Sequence, residues 1–206
     1  MIDQAEAGLL VLASGSRTRY EMLRAAGLLF TVEPADVDEA ALKAAMKAEG
    51  QRVTPRDVAV RLAAAKAEAV SSIHPERLVI GADQVLDLDG EMPSKPACLD
   101  EARELLLQLR GRSHQLHSGV ALAEGGRAVW QASDTAELTV RAYSNRFLET
   151  YLARGGASLC QSAGAYQIEG LGLQLFERVR GDHFTILGLP LLKLLAELRI
   201  RGAIVA

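Results

Sequence analysis

The stretch VLASGSRTRYEML, Val11–Leu23, decides the class of this fold. An apolar run over Leu9–Ala13 predicts a buried strand, and Ser14-Gly15-Ser16 interrupts it before a helix predicted from Arg17 to about Ala26. Ser16 is placed to cap that helix, and Thr18 with Glu21 offers a capping box one step later. Strand, tight turn and helix form the repeating unit of α/β proteins. The turn needs only a glycine and a cap, yet it carries Arg17 and Arg19 beside two hydroxyls. A helix N-terminus presents unpaired N–H groups and the positive end of the helix dipole, so an anion fits there. A capped surface helix with solvated arginines accounts for the stretch equally well.

The same alternation continues along the chain. Leu29–Glu33 reads as a second strand, and the acidic, then alanine-rich segment Asp36–Gly50 as a mobile or partly helical connection. Thr54-Pro55 opens a helix to about Ser72, with Asp57 in its first turn. Strands follow at Leu78–Ala82 and Val85–Leu88, closed by the Asp89-Gly90 turn. Ala102, Leu105, Leu106 and Leu109 recur at helical spacing in a helix over Asp100–Leu109. Strands His114–Ala123 and Ala128–Val140 flank Gly125-Gly126, and Ser144 caps a helix to about Arg154. After the glycine-rich AGAYQIEGLG come strands at Leu173–Arg178 and Phe184–Leu187, then a last helix from Pro190 to about Leu198. The expected fold is therefore α/β, a mixed sheet flanked by helices. With no repeat, linker or composition break, residues 1–206 read as one domain.

The chain has 206 residues, 49% hydrophobic and 24% charged, which suffices for a core without disulfides or structural metal. Aromatic residues are 4%, which argues against a broad platform for stacking bases. A net charge of −3 argues against a nonspecific grip on a nucleic-acid polymer, while leaving room for a locally basic pocket. Cys98 and Cys160 form no CxxC and suit a reducing compartment. Met1–Ala7 lacks a basic n-region, Gly8–Ala13 is too short for an h-region, and nothing approaches a membrane-spanning length. A cytoplasmic protein is expected.

Phosphate loops of the GxxxxGK[ST] and GxGxxG kinds are absent. Lys66 is more telling. On a helical wheel Val58, Ala59, Leu62, Ala69 and Val70 form an apolar sector; Lys66 falls inside it, and Arg61 and Glu68 fall opposite. A buried ammonium is costly without a counter-charge, so Lys66 either snorkels outward or meets something negative near the sheet. Asp83 ends LVIGAD, and α/β proteins collect ligands beyond the carboxyl ends of strands. It suits a general base for water, a magnesium ligand or a plain strand-ending turn. Lys95 follows the hairpin and could swing back toward Asp83. Asp36, Asp38 and Glu39 form a second acidic cluster, in a segment that also reads as a solvated loop. Carboxylates among Arg19, Lys66 and Lys95 suggest a metal-bound polyphosphate, with cations neutralising phosphate oxygens and carboxylates holding metal and orienting water. His114 and His117, three apart on a strand, make a poor zinc pair, and His74 and His183 read as surface residues. No GxSxG elbow supports a serine hydrolase.

With these residues in place, the chain resembles the Maf family of nucleoside triphosphate pyrophosphatases over nearly its whole length. The matching segments are, in order, LASGSRTRYEML, VDE at Val37–Glu39, LAAAKA at Leu62–Ala67, GADQV at Gly81–Val85, KP at Lys95-Pro96, GRSHQLHSGVAL, AGAYQIEGLG and GDHFTILGLPL. The resemblance implies a fold similar to inosine triphosphate pyrophosphatases. It also implies hydrolysis of a nucleoside triphosphate between its α and β phosphates, with magnesium or manganese. Asp83 is the implied proton acceptor and a metal ligand, and Asp38 the second metal ligand, where family members often carry glutamate. Ser14, Ser16, Arg19, Lys66 and Lys95 are the implied phosphate-binding residues. Arg17 stands where the family usually has proline.

Thr18, Gln84 and Glu169 fall on positions that the family reads as base-selecting. Gln84 and Glu169 look like the branch acting on 7-methyl-GTP rather than the dTTP/UTP branch. Thr18 departs from the tryptophan of that branch, so a broader or different triphosphate specificity stays open. Two other readings also stay open: a non-catalytic nucleotide-binding regulator of cell division, and a phosphatase removing the terminal phosphate. A homodimer is compatible with each.

Overall fold

The computed structural model describes residues 10–48 and 53–205. Elements follow in the order β1 (Leu10–Leu12), α1 (Arg17–Ala25), β2 (Thr31–Val32), α2 (Glu39–Ala48), α3 (Pro55–Ile73) and β3 (Leu78–Asp87). Next come α4 (Leu99–Leu109), β4 (Ser113–Glu124), β5 (Arg127–Val140), α5 (Asn145–Gly155), β6 (Phe176–Arg180), α6 (His183–Ile186) and α7 (Leu191–Ile200). One six-stranded sheet has the order β2-β1-β3-β4-β5-β6. Strand β1 is parallel to β2 and to β3, whereas β6 is antiparallel to β5, so the sheet is mixed, as expected.

Two compact units divide the chain. Of the described residues, the first takes those up to Gln84, His117–Thr135 and those from Asp182 onward; the second takes Val85–Leu116 and Ala136–Gly181. In the first unit, alternate residues of each strand feed opposite faces, as the pleat requires. Leu10, Leu12, Leu78, Ile80, Ala82, Val120 and Leu122 join Met22 and Leu23 of α1 and Leu191, Leu194 and Leu198 of α7. Val11, Ala13, Val79, Ala121 and Ala123 face the other way, onto Ala63, Ala64, Ala67 and Val70 of α3.

Helix α3 begins as its sequence dictates. Thr54 and Asp57 exchange both hydrogen bonds of a capping box, and Pro55 occupies the first turn. Its contact with the sheet is unusually close because two strands present glycine there. A Cβ on Gly81 would lie 2.1 Å from Ala63 O, and one on Gly119 would lie 2.4 Å from Ala59 O. Only glycine lets the helix backbone come this near.

The second unit packs Ala102, Leu105, Leu106 and Leu109 of α4 with Leu148, Tyr151 and Leu152 of α5, all buried. Its buried hydroxyls are partnered: Tyr143 donates to Leu106 O at 2.5 Å and Tyr151 to Ala165 O at 3.2 Å. His114 is buried against Tyr166 and Phe176, with its Nε2 2.6 Å from Tyr166 Oη.

Several sequence expectations need correction. Strand β3 is continuous from Leu78 to Asp87, so Asp83 lies within a strand rather than ending one. The segment Asp36–Gly50 is partly helical, one of the two forms expected of it, with helix α2 from Glu39 to Ala48; residues 49–52 and the strand start at Leu9 lie outside the described residues. Leu173–Leu175 belong to a 3-10 segment, and β6 starts only at Phe176. The expected strand Phe184–Leu187 is instead the helical turn α6, because Asp182 Oδ1 accepts the Thr185 N–H at 3.1 Å and nucleates it. Thr18 and Glu21 form no box; Ser16 caps α1, and Glu21 pairs with Arg17. Glu68 does not face away from the fold, since its Oε1 accepts the Ala128 N–H at 3.1 Å.

Candidate active site

The first unit gathers the residues of the opening turn, α2, α3 and β3. Ser14, buried at the end of β1, accepts hydrogen bonds from Ser16 N–H at 3.3 Å and from Arg19 Nη1 at 3.1 Å. Ser16 is the N-cap of α1, with Arg19 N 3.4 Å from its Oγ. Arg19 also donates from Nε to Gly188 O at 2.8 Å. Arg17 points elsewhere: its side chain is 91% exposed and lies 3.8 Å from Glu21. Of the two arginines, only Arg19 is built into the turn.

Gly81 and Asp83 share a face of β3, the face against α3. The close approach at Gly81 therefore brings Lys66 of α3 onto Asp83, Nζ to Oδ1 at 2.5 Å. The same ammonium meets Glu39 Oε1 at 2.7 Å. Lys66 thus bridges two carboxylates with its side chain only 16% exposed, which resolves the choice left open by its place on the apolar sector. Asp38 is oriented differently: its Oδ1 accepts the Ala41 N–H at 2.9 Å, capping α2, and so sets Glu39 at the first turn of that helix.

The electrostatics follow from this packing. Burial pushes the Asp83 carboxyl above its ordinary pKa, against the opposing pull of Lys66 and Arg19. Burial also works upward on Glu39, but the hydrogen bond and charge of Lys66 outweigh it and leave that carboxyl below its ordinary value. Arg19 is drawn down by burial while Asp83 and Glu39 hold it up. Two carboxylates and two cations share one site. One carboxylate is biased toward holding a proton and the other toward staying ionised.

A divalent metal fits this donor set. Asp83 and Glu39 are close enough for one ammonium to span them, and both offer hard oxygen donors. Among the described residues no group of three or more His, Cys, Asp or Glu is arranged to hold a metal. Magnesium commonly takes one or two carboxylates and completes its shell with substrate phosphates and water, so a two-carboxylate site matches that habit.

Gln84 follows Asp83 and points its amide nitrogen into the fold, with Ser118 Oγ, Thr185 O and Ile186 O as partners at 3.0–3.1 Å. Thr18 is half-buried on the first turn of α1. Lys95 and Glu169 belong to the second unit: Lys95 is exposed in the irregular segment before α4, and Glu169 is exposed in the turn at residues 168–170. His117 belongs to the first unit, its Nδ1 2.9 Å from Thr135 Oγ1. Glu39, Ser118 and Gly188 were not singled out as site residues from sequence. Each had a weak signal: Glu39 in the acidic cluster and as the last residue of VDE, Ser118 inside GRSHQLHSGVAL and Gly188 inside GDHFTILGLPL.

A family profile described as Maf-like protein matches residues 9–200. A nucleoside triphosphate pyrophosphatase of Maricaulis maris is 49% identical over 194 residues, covering 94% of this chain and 97% of the relative. A 7-methyl-GTP pyrophosphatase of Mesorhizobium japonicum is 51% identical over 195 residues, covering 95% of this chain and 97% of its own. Among solved structures, the Ham1 protein of Staphylococcus aureus is 18% identical with a TM-score of 0.44, covering 65% of this chain and 72% of that one.

Proposed function

Because the chain belongs to the Maf family, we propose that it is a nucleoside triphosphate pyrophosphatase, releasing pyrophosphate and a nucleoside monophosphate. The observation that carries the reading is Lys66 held between Asp83 and Glu39 beside the Arg19–Ser14 turn. Relatives of nearly equal length named as pyrophosphatases support turnover rather than passive nucleotide binding. The unbroken match over residues 9–200 supports a single catalytic domain.

In this reading Asp83 accepts a proton from water as the water oxygen bonds to the α-phosphorus. The bond from that phosphorus to the α–β bridging oxygen breaks, and pyrophosphate departs. The raised pKa of Asp83 suits a proton acceptor, since a base of ordinary carboxylate strength is a poor match to neutral water chemistry. Arg19 and the Ser14 and Ser16 hydroxyls bind phosphate oxygens, and Lys66 moves from bridging carboxylates to neutralising charge on the leaving group. Magnesium or manganese, held by Asp83 and Glu39, supplies Lewis-acid polarisation of the phosphoryl group when bound. Glu39 rather than Asp38 takes the second ligand role, because Asp38 is engaged as a helix cap. Lys95 is assigned to the phosphates and Thr18, Gln84 and Glu169 to base selection by resemblance.

The relatives' names support two substrate scopes, a general triphosphate and 7-methyl-GTP. A screen of ordinary and modified nucleoside triphosphates with magnesium, scored for pyrophosphate, tests both. Pyrophosphate in a 1:1 ratio with monophosphate is expected. Orthophosphate as the first product would reject α–β cleavage. A rate for 7-methyl-GTP no higher than for GTP would reject the narrower scope.

A further inference from the structure

The end of α6 and the turn that follows it touch two site residues at once. Arg19 donates to Gly188 O at 2.8 Å. Gln84 Nε2 donates to Thr185 O at 3.1 Å and Ile186 O at 3.0 Å, and to Ser118 Oγ at 3.1 Å. Ser118, fully buried, donates a hydrogen bond from its hydroxyl to Thr185 O at 2.7 Å. An amide nitrogen has two hydrogens, and three acceptors surround this one. Turning the amide over would set its oxygen against two carbonyl oxygens. The nitrogen of Gln84 is thus committed to the fold, and only its carbonyl oxygen is left to a ligand.

Gly188 is where the two grips meet. Its φ is +96°, and a Cβ there would lie 3.4 Å from Arg19 Nη2 and 3.7 Å from Gln84 Cδ. A methyl would fit in ordinary contact. The backbone would not, since residues with a Cβ rarely adopt this conformation. The corner is itself anchored: Thr185 Oγ1 reaches Asp134 Oδ2 at 3.2 Å, and Gly188 N donates to Thr185 O at 3.0 Å.

We propose that the Thr185–Gly188 corner is a positioning device for the phosphate site, with Gly188 and Ser118 as positioning residues that act through Arg19. The inference rests on the pyrophosphatase reading above. Carbonyls of the corner hold the guanidinium and the Gln84 amide, so the grip of Arg19 on phosphate depends on the backbone angle at Gly188 and on the Ser118 hydroxyl beneath it.

Calorimetric titration of inorganic pyrophosphate in magnesium buffer tests this, using Gly188→Ala, Ser118→Ala, Arg19→Ala and the two doubles with Arg19→Ala. Thermal melting reports folding separately. Loosening one charge-assisted hydrogen bond predicts affinity about tenfold weaker in Gly188→Ala and about threefold weaker in Ser118→Ala. Neither substitution should weaken binding further in the Arg19→Ala background. Equal weakening in both backgrounds, or wild-type affinity in the folded single variants, would overturn the proposal. Should Gly188→Ala not fold, the Ser118→Ala pair decides by the same comparison. Pyrophosphate failing to bind the wild-type protein would overturn the phosphate-site reading as well.

Discussion

Asp83 and Glu39 differ by environment, not by chemistry. Asp83 is 8% exposed on a central strand, and Glu39 sits half-exposed at a helix start. Replacing Asp83 with Asn keeps the shape and removes the proton acceptor, so turnover should fall by about 10²–10⁴ with melting little changed. A folded Asp83→Asn variant with normal kcat would remove Asp83 from the reaction. The acid limb of the wild-type kcat/KM profile should lie above the ordinary carboxylate range, because a base must be ionised and burial raises the pH at which Asp83 ionises. Lys66→Met removes the main opposing charge and should move that limb further toward alkaline pH. Asp38 and Glu39 separate in the same way. Asp38→Asn retains a capping side chain and should leave activity near wild type, whereas Glu39→Gln should raise the magnesium concentration needed for half-maximal rate. The reverse ranking would return the ligand role to Asp38.

Among elements, α3 and its two facing glycines carry most of the site's geometry. Lys66 reaches Asp83 only because Ala59, Ala63 and Ala67 are small and Gly81 and Gly119 lack side chains where the helix backbone passes. Gly81→Ala places a methyl against backbone atoms of α3, which cannot rotate aside. A loss of about 1–3 kcal/mol is expected from overpacking, read as a lower urea midpoint. The displaced helix should also lower kcat, whereas an exposed substitution of equal thermodynamic cost should not. An unchanged urea midpoint would mean that the helix is held some other way. The presence of α3, its start at Thr54-Pro55 and the place of Lys66 on the apolar sector were all legible in the sequence, since caps and 3.6-residue periodicity are written within a few turns. Helix α6 was not. Phe184–Leu187 is apolar enough for a strand, and a run of four residues carries no period that separates the two.

For the molecule as a whole, His114 adds to the acid sensitivity of folding. Its ring is 2% exposed, and burial pulls its pKa from 6.5 down to about 4. The folded state holds the neutral ring, so this contribution is complete above the unfolded value. It is lost as pH falls from about 6.5 toward 4, where the unfolded chain binds the proton first. The loss should be on the order of 3 kcal/mol. His114→Gln, which does not titrate, should flatten the urea midpoint between pH 7 and 4. An equal slope in wild type and variant would assign the acid sensitivity elsewhere. No described helix is long and apolar enough to cross a membrane. By itself the sequence determined the α/β class, the capped helices, the place of Lys66 on an apolar helix sector and the family, because those rest on local periodicity, capping and ordered motifs. Only the tertiary structure decided that Glu39 completes the Lys66 bridge, that Asp83 lies inside a strand, and that Gly188 and Ser118 hold Arg19 and Gln84. Those partners lie up to 169 residues apart, and no local pattern encodes which side chains packing brings within hydrogen-bond distance.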